Sequence, residues 1–237
     1  MFTRSFPRLL PVLLVTVGVG LAIAGDPATT TPAGGSATGT TAPASTLATY
    51  TLDANKSSLY VQVFKDPSTV AASMSHDHVI LATGWTGTAT WDTANLAACK
   101  VSISVPTSGL MNDEKSMRVK VGYTTELDEG QRAEVTEHML DDDQLDAAKY
   151  PTITFTSTSC AASGTAVVVK GNMTMHGVTK AVSPSLTITA DGTSFTAKGT
   201  MKLNGTDYGI QPFSAALGSL KNLNEMKFTI DVKGAVK

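Results

Sequence analysis

Apolar side chains recur at every second position through most of the chain beyond residue 58. Successive side chains of a β-strand point to opposite faces, so this period predicts strands with one buried face. Asp191-Gly192 lies between two such runs and is typical of a tight hairpin turn. The apolar positions of the main runs are Leu59, Val61, Val63, Val101, Ile103, Val105, Ile153, Phe155, Val167, Val169, Met173, Met175, Leu186, Ile188, Phe195, Met201, Leu203, Phe228, Ile230 and Val232.

One segment breaks this alternation. Residues 127–148 read LDEGQRAEVTEHMLDDDQLDAA, a sequence rich in helix formers that predicts one or two helices. Tyr150-Pro151 ends the segment, because the residue before a proline avoids the helical conformation. Many strands, one helical excursion and no regular alternation of strands with helices predict an all-β fold. The pattern leaves open a sandwich or an up-and-down barrel.

The amino terminus has the pattern of an export signal. A short basic start precedes an apolar run from Leu9 to Ala24, and this run ends in Ala22-Ile23-Ala24. A membrane anchor is the alternative, but a span needs roughly 20 apolar residues, whereas this run is shorter and contains Pro11. We therefore predict a signal peptide over residues 1–24, cleavage before Gly25, and a periplasmic or secreted mature protein.

The segment after this signal differs in composition from the rest of the chain. Residues 25–49 are mostly Thr, Ala, Pro, Gly and Ser, which bury too little apolar surface to offset the entropy of ordering. We predict a disordered linker here. Residues 50–237 are long enough for one folded domain with a sizeable core.

Charge and motif content argue against nucleic-acid binding and against several classes of enzyme. Lys and Arg total 18 against 20 Asp and Glu, and no basic stripe is interleaved with aromatic residues, so nucleic acid is not an expected partner. The sequence has no Gly-x-Ser-x-Gly, no phosphate-binding loop and no His-Glu-x-x-His. The run Asp141-Asp142-Asp143 is interpreted as a solvated face. We expect a protein that is not an enzyme and uses no cofactor.

Four stretches, in order and spacing, resemble the YceI-like family. They are SHDHVILATGWTGTATWD (Ser75 to Asp92), HMLDDDQLDAAKYPTITFTS (His138 to Ser157), GNMTMHGVTKAV (Gly171 to Val182) and DYGI (Asp207 to Ile210). The resemblance implies a lipocalin-like antiparallel barrel of about eight strands with an elongated apolar lumen. It also implies extracytoplasmic carriage of an isoprenoid or fatty-acyl lipid. For such a carrier we expect transient membrane contact as well.

The resemblance and the strand pattern together suggest ligand contacts. Aromatic and methionine side chains on strands suit a long apolar guest, and histidines suit contact with a head group. Val135-Thr136 and Gly205-Thr206 stand where the family often carries an arginine, which favours a neutral ligand if those arginines hold an anionic head group. The candidate ligand-binding residues are His76, His78, Trp85, Phe155, Met173, His176 and Phe195.

His76-Asp77-His78 is the sharpest local feature. If residues 70–80 form a strand, His76 and His78 share one largely apolar face. We interpret both as structural or lumen-lining residues, with head-group contact as a second reading. A metal site completed by His138 or His176 is a third. The alternative functions are therefore a metal- or redox-linked accessory protein and a structural or stress-response domain without a specific ligand.

Cys99 and Cys160 are the only cysteines of the chain. Cys99 begins the run that continues to Val105, and Cys160 ends the run that begins near Thr152. If these strands are antiparallel neighbours, the two cysteines fall within the short separation that a disulfide needs. Export places them in an oxidising compartment, so we predict a Cys99–Cys160 disulfide.

Overall fold

The computed structural model describes residues 47–236, and the predicted signal peptide and most of the predicted linker lie outside them. The first strand begins at Ala48, slightly before the predicted start of the folded domain at Tyr50. The strands are β1 (Ala48–Leu52), β2 (Ser58–Lys65), β3 (His78–Ala82), β4 (Thr86–Trp91), β5 (Lys100–Pro106), β6 (Leu110–Asn112), β7 (Thr152–Ser163), β8 (Ala166–Met175), β9 (Val178–Val182), β10 (Ser185–Ala190), β11 (Ser194–Asn204), β12 (Ser214–Ala215) and β13 (Leu220–Val236).

Helices occupy a small part of the fold. The α-helices are α1 (Lys115–Lys120) and α2 (Glu129–Leu140). Helix α2 lies in the predicted helical segment and begins with a capping box between Asp128 and Gln131. Helix α1 is not predicted by the sequence pattern. Short 3-10 helices cover Ala54–Lys56, Ala72–Met74, Leu96–Ala98, Thr107–Gly109, Gly205–Tyr208 and Ala216–Gly218.

Three pairs of consecutive strands, β1–β2, β3–β4 and β5–β6, each form one long strand with a bend in the middle. Strand β1 pairs with β4 while β2 pairs with β3, and β5 pairs with β4 while β6 pairs with β3. The bends of the second and third long strands meet, because Thr83 N donates to Gly109 O at 2.7 Å. Gly84, in the second bend, has φ +62°, a conformation that favours glycine. Strands β9 and β10 both pair with β8 and form a fourth bent strand.

Strand β13 closes the sheet into a barrel. It pairs with β11, with β2 (Phe228 opposite Val61) and with β1 (Tyr50 opposite Val236), always antiparallel. Closure joins the first strand to the last and so removes the open edges that an antiparallel sheet otherwise presents. The predicted lipocalin-like barrel of eight antiparallel strands is confirmed.

The two ends of the barrel differ. At the disulfide end, the connections between strands are short and cover residues 92–99, 164–165 and 191–193. At the helix end, long connections cover residues 66–77, 113–151 and 205–219 and contain both α-helices. The disulfide end therefore offers little room for a ligand to enter, and the helix end carries most of the irregular chain.

Aromatic rings close the disulfide end. The ring centroid of Phe195 lies 5.5 Å from that of Tyr50 and 5.9 Å from that of Trp91. All three side chains are buried, and the Tyr50 hydroxyl accepts a hydrogen bond from Gly192 N at 3.1 Å. The predicted disulfide is present here: Cys99 and Cys160 are joined, with their Cα atoms 6.1 Å apart. The disulfide joins the connection before β5 to strand β7, which is the neighbour of β5 in the sheet.

Candidate functional site

The inward faces of the barrel enclose a cavity of about 220 Å³. The barrel has eight long strands when each bent strand counts as one: β1–β2, β3–β4, β5–β6, β7, β8, β9–β10, β11 and β13. Each of them contributes lining residues, because alternate side chains of a strand point inward. Residues of the disulfide end that line the cavity include Leu52, Phe195 and Val232. Leu145 and Ile210 line it at the helix end. The cavity therefore extends along the barrel from the aromatic rings of the disulfide end to the helix end.

The lining is apolar, and its flexible side chains are concentrated towards the helix end. No charged side chain lines the cavity among the residues that the structure describes. The side chains with polar atoms in the lining are Tyr60, Gln144 and Thr154. Methionine adapts its shape to irregular neighbours, so this half of the lumen can adjust to different guests. The lining methionines are Met139, Met173, Met175, Met201 and Met226.

The end of α2 and the segment before β12 cover the lumen at the helix end. Met139 and Leu145 line the cavity from one side and Ile210 from the other. Two hydrogen bonds hold these segments together, from Gln211 N to Asp143 O at 3.0 Å and from Gln144 Nε2 to Gln211 O at 2.7 Å. The sequence pattern did not predict these covering residues, because they come from the end of α2 and from irregular segments far apart in the chain.

The predicted ligand-binding residues divide into two groups. Phe155, Met173 and Phe195 line the cavity. Trp85 is buried in the core at the bend between β3 and β4, but it is outside the cavity lining. The remaining candidates, His76, His78 and His176, also lie outside that lining, at the helix end. Strand parity thus identified three lumen residues, whereas Trp85 and the three histidines lie outside the lining.

The predicted shared face of His76 and His78 is wrong. Residues 70–77 are not a strand: Ala72–Met74 form a 3-10 helix, and β3 begins only at His78. Met74 is 73% exposed, so it does not belong to an apolar inward face. Lys65 Nζ stabilises this turn by donating to Ala72 O and Ser75 O, at 3.1 and 3.3 Å.

His78 belongs instead to a buried ionic network around Asp113. The Asp113 carboxylate pairs with His78 Nδ1 at 2.7 Å and accepts from Val79 N at 3.0 Å and Arg118 Nη1 at 2.6 Å. Burial by itself raises the pKa of Asp113, but these hydrogen bonds and the charge of His78 outweigh it, and the net pKa is lowered. Burial lowers the pKa of the nearby His76, and the charges of His78 and Arg118 lower it further.

His176 lies where three separate parts of the sequence meet. It follows β8 with φ +51°, and its Nδ1 contacts Tyr208 O at 3.1 Å. The Tyr150 ring meets the His176 ring edge-on, with centroids 5.5 Å apart. A Cβ atom at Gly177 would overlap the Tyr150 ring, so this position accepts only glycine without rearrangement. Three of the four motif stretches therefore pack against one another, and these contacts give the motifs a structural role.

Two further features of residues 47–236 concern the metal-linked alternative and the membrane. This part of the chain contains no group of three or more His, Cys, Asp or Glu side chains arranged to hold a metal ion. His138 lies on α2, half exposed, with its ring centroid 5.1 Å from that of Phe213. None of the helices within the same residues is both long enough and apolar enough to cross a membrane.

The fold and the cavity define a lipocalin-like barrel, in which a closed antiparallel sheet surrounds an apolar lumen. Residues 50–234 match the YceI-like domain, and the chain belongs to the YceI-like family. The match covers nearly the whole folded region, so the family assignment applies to the barrel as a unit.

Individual relatives agree with this assignment. The chain is 34% identical over 97 residues to Protein YceI of Escherichia coli O157:H7, and 34% identical over 98 residues to a UPF0312 protein of Pseudomonas putida (strain GB-1). These matches cover 41% of this chain, and 41% and 42% of the two relatives. BcnA of Burkholderia cenocepacia has a similar fold, with a TM-score of 0.59 at 16% identity over 77% of this chain and 98% of that protein.

Proposed function

We propose that this protein binds an elongated apolar lipid, an isoprenoid or a fatty-acyl chain, inside the barrel and carries it outside the cytoplasm. The observation that supports this most directly is the cavity itself, which is lined from end to end by uncharged and almost entirely apolar side chains. The proposal is one of binding without catalysis. It includes export through cleavage of the predicted signal peptide, which amino-terminal sequencing of the mature protein would test.

The energetics favour a long chain as the guest. Burial of apolar groups contributes about 0.8 kcal/mol per CH₂, whereas the loss of translational and rotational freedom on binding costs about 4–15 kcal/mol, so only a long chain gains enough to offset that cost. The guest enters or leaves at the helix end, because Tyr50, Trp91 and Phe195 fill the disulfide end. Burial of a charged head group in the lumen would be costly without a partner, so a neutral head group fits the lining better than an anionic one.

Native mass spectrometry of protein purified from its own source tests the proposal first. A co-purified isoprenoid or acyl lipid supports it. A bound metal would favour the metal-linked alternative at His76 and His78, and a bare chain would favour a domain without a specific ligand. Titration with a prenol, the matching prenyl phosphate and a fatty acid then ranks the head groups. The prenol should bind more tightly than the prenyl phosphate.

A pair of matched variants tests whether the lipid occupies the lumen. Ala197 lines the cavity, whereas Ala181 on β9 is exposed. Ala197→Phe adds a ring inside the lumen and should weaken lipid binding by about tenfold or more, because the ring competes with the guest for the same space. Ala181→Phe adds the same ring outside and should leave binding unchanged. Equal affinity of both variants for every long-chain lipid would contradict the proposal.

A further inference from the structure

Two neighbouring connections at the helix end are almost free of charge. Residues 67–76 and 208–220 contain no Asp, Glu, Lys or Arg, although charged residues make up 16% of the whole chain. The two segments lie side by side: Ala71 N donates to Ser219 O at 3.1 Å, and Asp66 N donates to Lys221 O at 2.7 Å. We call these two segments the uncharged loop pair.

The uncharged loop pair also presents large apolar side chains to solvent. Val70 is 96% exposed, Met74 is 73% exposed and Leu217 is fully exposed. Isolated exposed apolar residues are common on protein surfaces, but three on two hydrogen-bonded loops without a charge among them form a distinct surface. Packing inside this chain does not account for these side chains, because they contact so little of it.

The backbone around Leu217 is also unusual for an apolar residue. Ala216, Leu217 and Gly218 have φ values of 48°, 55° and 84°, so three consecutive residues adopt the left-handed conformation. This conformation is unfavourable for leucine and is usually taken by glycine or asparagine. The turn therefore holds an apolar side chain outward at a position where a polar residue would suit both the backbone and the solvent better.

The loop pair is continuous with the lumen. Residues 67–76 follow strand β2, and residues 208–220 lead into β13. Val63 and Met226, which face each other on these two strands, both line the cavity. The exposed apolar side chains thus lie at the end of the barrel opposite the aromatic closure, next to the strands that border the lumen.

We propose that the uncharged loop pair docks on the surface of a lipid bilayer and inserts Val70, Met74 and Leu217 into the interfacial region. A bilayer suits this surface, because apolar side chains gain by insertion and charged groups would resist it. A bilayer is favoured over a protein partner because the strands joined to the two loops line an apolar lumen through Val63 and Met226. The inference rests on the proposed function and deepens it, because docking at this end would let a lipid chain pass between membrane and lumen without crossing water.

Vesicle binding by matched variants tests this surface. One variant combines Val70→Thr, Met74→Gln and Leu217→Asn, and the control combines Met111→Gln with Val119→Thr. Met111 and Val119 are exposed apolar residues outside the loop pair. All proteins are purified in the same processed form and floated with vesicles of phosphatidylcholine, alone or with phosphatidylglycerol. The loop variant should lower the partition coefficient by about tenfold, while the control should match the unaltered protein.

Two further measurements separate docking from folding and from lumen binding. The loop variant should keep its thermal stability, because all three side chains are exposed and asparagine tolerates the left-handed conformation at position 217. With the melting temperature unchanged, loss of vesicle binding cannot be attributed to unfolding. Titration with a fluorescent fatty acid in solution should give the same affinity for all variants. Vesicle binding that the loop variant leaves unchanged, or no vesicle binding by the unaltered protein, overturns the docking proposal. Failure of the unaltered protein to bind the fatty acid overturns instead the proposed function.

Discussion

At the scale of single residues, Asp113 joins β3 to the start of α1. Its carboxylate is fully buried and contacts His78 and Val79 on one side and Arg118 on the other. Arg118 is itself 4% exposed and also donates to Asp77 O and Thr125 O, at 2.9 and 2.6 Å. A buried cation of this kind is tolerable only while its anionic partner and its acceptors are in place.

Asp113→Asn should therefore lower the free energy of unfolding by about 3–5 kcal/mol at neutral pH, because it leaves Arg118 buried without a counter-charge. The pKa of Asp113 is lowered by folding from its ordinary value of 3.8. The stability it contributes is thus complete above that value and is lost as the pH falls through the lowered pKa. Urea unfolding should show a large gap between variant and unaltered protein at neutral pH that narrows in strong acid.

A control for this effect is Asp142→Asn, which changes an exposed carboxylate of the helix end. Its stability should stay within about 0.5 kcal/mol of the unaltered protein. A loss in Asp142→Asn equal to that in Asp113→Asn would mean that general charge balance, rather than the buried network, supports this region.

At the scale of elements, the alternation of apolar residues predicts the long strands, but it does not predict where they are interrupted. The period of two correctly predicted the long strands, and it predicted that Phe155, Met173 and Phe195 face inward. It failed at residues 70–77, because a 3-10 turn held by Lys65 interrupts the strand without any glycine or proline signal. It also missed α1, whose six residues are too few to form a stable helix alone and are held by the buried side chains of Met117 and Arg118.

The disulfide is an element-scale constraint that the sequence did predict. Replacement of both Cys99 and Cys160 by serine should lower the free energy of unfolding by up to about 4 kcal/mol on the chain-entropy model for a sequence separation of 61 residues. Unfolding in denaturant with and without dithiothreitol measures this. Reductant should destabilise the unaltered protein to the level of the double variant and leave the variant unaffected. A double variant that reductant destabilises equally would show that the bond is not the cause.

At the scale of the whole molecule, the barrel is asymmetric along its length. The disulfide end is short-looped, bridged and filled by aromatic rings, while the helix end is built from long connections and methionine-rich lining. The sequence predicted closure of the sheet through its family resemblance, but not which end would be filled. That outcome depends on contacts between Tyr50, Trp91 and Phe195, which lie on three different strands.

A lumen filled at one end predicts a limit on ligand length. For a series of fatty acids, each added CH₂ should strengthen binding by up to about 0.8 kcal/mol, or about fourfold, while the added group is buried. Once the chain reaches from the aromatic closure to the helix end, further methylenes remain in water and the affinity should level off. Ala197→Phe, which fills part of the lumen near Phe195, should move this plateau to a shorter chain, and Ala181→Phe should not. Affinities measured by displacement of a fluorescent lipid give both curves. A plateau at the same length in all three proteins would mean that the chains bind outside the lumen.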